Sequence, residues 1–142
     1  MDDIRIEPFD KSRHERTGFH CGQPALDEFV RSLVTQYEKR RLGKTFVAVR
    51  SSSPDVLGYY TLAAGSVAFQ NLPTPSAKKL PKHPVPSVLL ARLAVGQSMQ
   101  GQGLGEALLM DALQRASQLS KSLGIHAVEV VAIDQRAQAF YE

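Results

Sequence analysis

Three glycines in five positions, Gly101, Gly103 and Gly105, follow an apolar run from Val88 to Val95 and precede a helical apolar pattern. Glycine there lets backbone N–H groups approach a ligand closely, and a helix start adds roughly half a positive charge aimed the same way. That combination holds an anion, most often phosphate or pyrophosphate. A turn that only needs one left-handed residue uses one glycine, not three. Two common phosphate loops are excluded. A nucleotide P-loop ends in Gly-Lys-Ser/Thr, and this turn ends Gly105-Glu106-Ala107 with no lysine. The dinucleotide fingerprint needs a third glycine where Glu106 stands. The pattern that fits is Gln/Arg-x-x-Gly-x-Gly/Ala, carried by Gln100, Gly103 and Gly105.

Other reactive residues offer less. His14, His20, His83 and His126 show no metal-ligand spacing with one another or with Cys21, so no metal is expected. Cys21 beside His20 reads as a small buried residue at the approach to a helix. No catalytic carboxylate–histidine pair is visible, and Asp134 either touches a bound ligand or, the better reading, caps the last helix. The net charge is +3, with the basic excess lying between residues 11 and 100. It gathers at Lys39-Arg40-Arg41 with Lys44, and at Lys78-Lys79 with Lys82. Such clusters meet phosphates by charge alone, or simply sit solvated on a surface.

The elements that must position the glycine turn follow from periodicity. Ile4-Arg5-Ile6 alternates and predicts a short strand stopped by Pro8. Leu26, Phe29, Val30, Leu33, Val34 and Tyr37 form one helical stripe, opened by Pro24 and closed by Gly43. Asp27 and Glu28 suit its positive end, and Lys39 to Arg41 its negative end. Thr45 to Arg50 and Val56 to Phe69 predict two strands joined by a turn. Residues 71–86 hold five of the eight prolines, which excludes helix or central strand there. Val88 to Val95 predicts a strand covered on both faces. The glycine turn then opens a helix through about Leu123, with Leu104, Leu108, Ala112, Ala116 and Leu119 on one face and Gly124 as its stop. Ala127 to Ile133 predicts a strand, and Ala137 to Tyr141 a last helix. This order requires a mixed sheet with helices on its faces, a three-layer α/β arrangement.

Length and composition set the frame. At 142 residues the chain is expected to be one domain, 1–142, with a core large enough to need neither disulfide nor metal. Its apolar runs fall far short of the roughly 20 residues that span a membrane. The acidic start Met1-Asp2-Asp3 lacks the pattern of a signal peptide, and the single cysteine suits a reducing compartment. A cytoplasmic location is expected.

Leu93-Ala94-Val95 followed by Gln100-Gly101-Gln102-Gly103-Leu104-Gly105 resembles the GNAT acetyltransferase superfamily. The likeness extends to Cys21-Gly22-Gln23-Pro24-Ala25-Leu26-Asp27, to Gly58-Tyr59-Tyr60-Thr61-Leu62, to the proline-rich segment, to Ala91-Arg92-Leu93 and to Ala139-Phe140-Tyr141-Glu142. Over essentially the whole chain it is similar to the tRNA-acetylating toxins of GNAT/ribbon-helix-helix toxin–antitoxin pairs. The resemblance implies a mixed, mostly antiparallel sheet flanked by helices. That branch continues past the Phe-Tyr-Glu run into further strands, so the C-terminal strands are expected to be missing here.

The resemblance further implies that acetyl-CoA is the co-substrate. Leu93, Ala94 and Val95 would pair main-chain groups with the thioester and pantetheine, and the backbone from Gln100 through Gly101, Gln102, Gly103, Leu104 and Gly105 to Glu106 would hold the diphosphate. A backbone N–H near Val95 would polarise the acetyl carbonyl. Tyr141 takes the place of the family's tyrosine beside the sulfur, where a phenol of pKa about 10 protonates a thiolate; otherwise it packs with Phe140. The acceptor would be the α-amine of aminoacyl-tRNA. An α-amine titrates near 8 against about 10.4 for lysine, so a neutral fraction exists without a strong base. Lys78, Lys79, Lys82 and Arg92 would contact the tRNA, with Lys39 to Lys44 contributing. A ribbon-helix-helix antitoxin and a homodimer are the partners implied. Two other readings stay open: the same fold acetylating a protein or small-molecule amine, and a non-catalytic module binding CoA and an antitoxin.

Overall fold

The computed structural model describes residues 3–67, 85–125, 127–131 and 137–141. Among these, six strands form one sheet in chain order: β1 (Ile4–Pro8), β2 (Lys44–Arg50), β3 (Gly58–Val67), β4 (Val85–Val95), β5 (Ala127–Val131) and β6 (Ala137–Tyr141). Every neighbouring pair is antiparallel except β4 and β5, which run parallel. The glycine turn and helix α3 (Leu104–Ser120) make that parallel crossover. The first helical segment comprises α1 (Pro24–Glu28), a π-helical stretch (Phe29–Leu33) and α2 (Val34–Lys39).

Strand alternation builds a core on each face of the sheet. Phe46, Ala48, Tyr60, Leu62, Val88 and Leu90 bury against Leu104, Leu108, Ala112 and Ala116 of α3. Val47, Val49, Tyr59 and Ala94 bury on the other face against Phe29, Val30 and Val34. Helix, sheet and helix therefore form the three layers expected. None of the described helices is long and apolar enough to cross a membrane.

Several boundaries differ from the sequence expectation. Ala137–Tyr141 is strand β6, not a helix capped by Asp134, and it pairs along β5. An unpaired β5 edge would leave a row of N–H and C=O groups unsatisfied, and that ladder overrides the local preference of alanine and glutamine. The edge expected to lack its C-terminal strands is thus filled by β6. Asp134 itself lies outside the described residues. The first helical segment is stopped by Arg41, which takes the left-handed conformation (φ 57°), and not by Gly43. Gly43 instead permits close approach, since a Cβ there would lie 3.0 Å from Thr61 Cγ2. Helix α3 ends at Ser120, before Gly124, and Leu119 is exposed. Pro86 belongs to β4, opposite Ser66.

At the far edge, His14 is buried and pairs with Glu7, Nε2 to Oε2 at 2.6 Å, while its Nδ1 accepts the Asp10 N–H. The His14 hydrogen bond holds the Glu7 carboxyl below the usual carboxylate range, against the opposing effect of burial and helped by Arg13 and Arg5. A lowered folded pKa contributes stability that is full above about pH 4.3 and is lost as pH falls through the folded value. Glu7→Gln is expected to flatten that acid limb in urea titrations between about pH 5 and pH 3. Gly58 sets a second limit: a Cβ there would lie 2.9 Å from the Ala94 carbonyl oxygen and 3.0 Å from Leu108 Cδ1. Gly58→Ala is expected to remove about 2 kcal/mol of unfolding free energy by overpacking β3 against β4 and α3.

Candidate active site

The site begins with an irregularity in β4. Thr61 pairs with Arg92 and Leu62 with Leu90, so Ala91 is an extra residue, a β-bulge. The bulge reverses the facing of everything after it. Val88 and Leu90 point into the α3 core before it, and Leu93 and Val95 pack against that same core after it. Arg92 and Ala94 consequently face the α1 side, where the Arg92 guanidinium lies 3.9 Å from the Phe29 ring centroid and 5.0 Å from that of Tyr37. The bulge also marks where β5 ends its pairing. β5 matches β4 only from Ser87 to Leu90. On that side Leu93, Ala94 and Val95 have no strand partner among the described residues, while β3 holds their other edge. An open main-chain edge at this point can take an extended, amide-bearing ligand as a further strand.

The open edge leads into the anion cradle. After a 3-10 turn (Gln97–Met99), Gly101 and Gly103 adopt φ of 78° and 86°, and Gly103 caps α3. A Cβ at either would meet nothing within 4 Å, so their space is free for a ligand. The first N–H engaged by α3 is that of Ala107, bonded to the Gly103 carbonyl. The N–H groups of Gly101, Gln102, Gly103, Leu104, Gly105 and Glu106 have no acceptor among the described residues. This is the donor set a diphosphate needs. Gln100 differs from its expected role: its N–H bonds the Gln97 carbonyl at 3.3 Å, and its side-chain Nε2 donates to the Val95 and Cys21 carbonyls at 3.0 and 2.9 Å. It braces the cradle from behind. Spacing also gave no hint of Arg50, which shares a cavity of about 260 Å³ with Gln102, Gly103 and Met99 and brings a cation to the cradle's flank.

The remaining expected residues are not all gathered here. Tyr141 lies on β6 opposite Ala127, which is opposite Ser87, six residues before Leu93 on β4. At about 3.3 Å per residue its backbone sits roughly 20 Å along the sheet from the open edge. Lys78, Lys79 and Lys82 lie outside the described residues. The two buried phenols are engaged elsewhere: Tyr59 donates to the Leu26 carbonyl and Tyr60 to Asp111, and burial pushes both far above the usual phenol range. Two carboxylate–histidine pairs that spacing did not reveal exist, His14 with Glu7 and His20 with Asp27, each seven residues apart and joined by loops. Cys21 is half-buried, and burial raises its thiol pKa, which suits a structural residue.

Comparison with known proteins adds the following. The model of the acetyltransferase (GNAT) family matches residues 19–142. A tRNA-acetylating toxin of Mycobacterium tuberculosis (strain ATCC 25618 / H37Rv) is 40% identical over 125 residues, 88% of this chain and 74% of the relative. AtaT complexed with acetyl-methionyl-tRNAfMet superposes with a TM-score of 0.85 at 33% identity, over 92% of this chain and 79% of that one. A tyrosine-to-phenylalanine mutant of the AtaT toxin, bound to the C-terminus of the antitoxin AtaR and acetyl-CoA, superposes with a TM-score of 0.79 at 25% identity, over 99% and 94%.

Gly103→Ala tests the cradle without filling it, because the space is open and only the left-handed backbone is penalised, by about 1–2 kcal/mol. Calorimetric titration with coenzyme A, as a diphosphate-bearing probe, is expected to show affinity reduced about tenfold or more. The melting temperature should fall by only several degrees.

Proposed function

The chain belongs to the acetyltransferase (GNAT) family and is an acetyl-CoA-dependent acetyltransferase, and on that premise we propose that it is a toxin that acetylates the α-amine of aminoacyl-tRNA. One observation carries the reading: the open edge of Leu93–Val95 runs straight into the unpaired amides of Gly101–Glu106, in a chain 40% identical to a tRNA-acetylating toxin. A ligand with an extended amide arm and a diphosphate fits that sequence of groups, and acetyl-CoA supplies the activated acetyl thioester.

The residues divide the work. Leu93, Ala94 and Val95 align the arm through main-chain hydrogen bonds, and a backbone N–H near Val95 faces the acetyl carbonyl as charge develops on its oxygen. The amides of Gly101 to Glu106, at the positive end of α3, hold the diphosphate. Gln100 supports them at one remove. The amine nitrogen bonds to the acetyl carbon, the C–S bond breaks, the amine releases its proton to solvent, and Tyr141 protonates the departing sulfur. With β6 paired to β5, Tyr141 is remote from Leu93, so this assignment requires residues 137–141 to leave that pairing during transfer.

Arg92 stands on the α1 face one residue from the open edge, with its guanidinium laid on Phe29 and Tyr37 and no carboxylate beside it among the described residues. Such a cation suits a phosphate of the tRNA acceptor end. Lys78, Lys79 and Lys82 are assigned to the same polyanion. As one domain over residues 1–142, the protein would act in the cytoplasm as a homodimer neutralised by a ribbon-helix-helix antitoxin; the AtaR-bound relative supports an antitoxin as partner.

Incubation with labelled acetyl-CoA and total charged tRNA is expected to place label on the aminoacyl group. Tyr141→Phe should cut the rate about a hundredfold, within the range of a general acid. Arg92→Ala should raise KM for tRNA and leave coenzyme A binding intact. Label on free peptides but not on RNA would replace the tRNA reading with a protein-amine acceptor.

A further inference from the structure

Asp27 is 4% exposed, and its carboxylate turns back out of α1 toward the loop that precedes it. Oδ1 accepts the Cys21 N–H at 2.8 Å, and Oδ2 meets His20 Nδ1 at 3.1 Å. The loop so held is docked on the stretch between the open edge and the cradle. The Cys21 carbonyl accepts Gln100 Nε2 at 2.9 Å, and the same Nε2 reaches the Val95 carbonyl at 3.0 Å. The His20 carbonyl accepts the Gln97 N–H at 2.8 Å. Gly22 permits the approach: it takes φ 100°, and a Cβ there would lie 3.3 Å from Gln97 Nε2. Five hydrogen bonds thus run from one buried carboxylate on α1 to Val95, the last residue of β4, to Gln97, and to Gln100, the residue immediately before Gly101.

Core packing alone does not account for this chain. Burial pushes the Asp27 carboxyl up, and the Cys21 amide, His20 and Arg31 more than offset it and hold the group below the usual carboxylate range. Gln100 is exposed and belongs to neither core. The contacts fall on Val95, Gln97 and Gln100, the hinge that relates the main-chain edge to the diphosphate donors. A ligand spanning the open edge and the amide cradle would be registered against that stretch at both ends, and a shift of about 1 Å there would disrupt its bound geometry.

We propose that Asp27 and Gln100 are positioning residues for the cofactor: through Cys21 they fix the Val95 peptide and the entry to the glycine turn, so that the open edge and the amide cradle engage acetyl-CoA together. This rests on the acetyl-CoA reading above. Neither side chain need touch the ligand.

The test compares KM for acetyl-CoA, kcat, coenzyme A affinity by calorimetry and melting temperature across variants of the full chain. Gln100→Met keeps the length and removes the donor, and is expected to raise KM and weaken coenzyme A binding about tenfold with kcat within about twofold. Asp27→Ala should do the same. Asp27→Asn keeps an oxygen for the Cys21 N–H and should return to within about threefold of the parent. Asp27→Ala with Gln100→Met should be no worse than either alone, because both break one chain. Val30→Ala loosens the same helical layer by a cavity and should lower the melting temperature without moving KM. Unchanged KM in Gln100→Met, additive losses in the double variant, an Asp27→Asn as poor as Asp27→Ala, or an equal KM rise in Val30→Ala would each overturn the proposal. Failure of the parent chain to bind coenzyme A overturns the cofactor reading and the proposal with it, and is seen before any variant is made.

Discussion

A strand buried in the middle of a sheet normally has both edges occupied, and a binding edge must be exposed without unravelling the core around it. The bulge at Ala91 reconciles these demands in β4. From Ser87 to Leu90 the strand is held from both sides, and beyond Leu90 β3 alone keeps the backbone in place among the described residues. One inserted residue also exchanges the faces, which sets Leu93 and Val95 into the α3 core and turns Arg92 onto the rings of Phe29 and Tyr37. The open edge, the cation beside it and the approach to the glycine turn all follow from that single register shift.

The two layers of helix are fastened to the sheet differently. Under α3, Tyr60 donates to Asp111, Arg115 pairs with Asp111 at 2.8 Å, and the same guanidinium lies 4.2 Å from the Phe46 ring centroid and reaches the Ile6 carbonyl. This network joins the helix whose N-terminus forms the cradle to three strands at once. On the opposite face the Tyr59 hydroxyl bonds the Leu26 carbonyl and Arg92 lies on the rings of Phe29 and Tyr37, while the Asp27 carboxylate ties α1 to its own preceding loop through the Cys21 amide. The α1 layer is thus tied both to the sheet and to the loop before it, while α3 is held by side chains that burial keeps neutral or paired.

Features set by local pattern were legible in the sequence. The β-branched and aromatic content of Thr45 to Arg50 marked β2 as a strand, and the i, i+4 repeat of Leu104, Leu108, Ala112 and Ala116 marked the buried face of α3. The three glycines announced the cradle because backbone geometry is demanded there by residue type. What escaped notice depends on partners distant in sequence. The Ala91 bulge is visible only against β3, and Gln100 shows its role only when Cys21 lies beside it, 79 positions earlier. Asp27 read as a favourable charge at a helix start, and its burial comes from the folding back of residues 18–23. Ala137–Tyr141 has helical composition, and the open side of β5 decided otherwise.

Tyr59 and Tyr60 stand side by side in β3, both fully buried, with their hydroxyls bonded in opposite layers. Any gain or loss of a single codon between Gly58 and Thr61 would trade the two phenols, strand each hydroxyl in an apolar layer and carry Thr61 away from its 2.7 Å contact with Thr45. The same length change between Ser52 and Ser53 falls in a surface turn, ahead of the buried Val56 and the bonded backbone of Leu57. Descent with altered loop length is therefore open to this fold at the β2–β3 turn, and closed along the four residues that knit its two layers together.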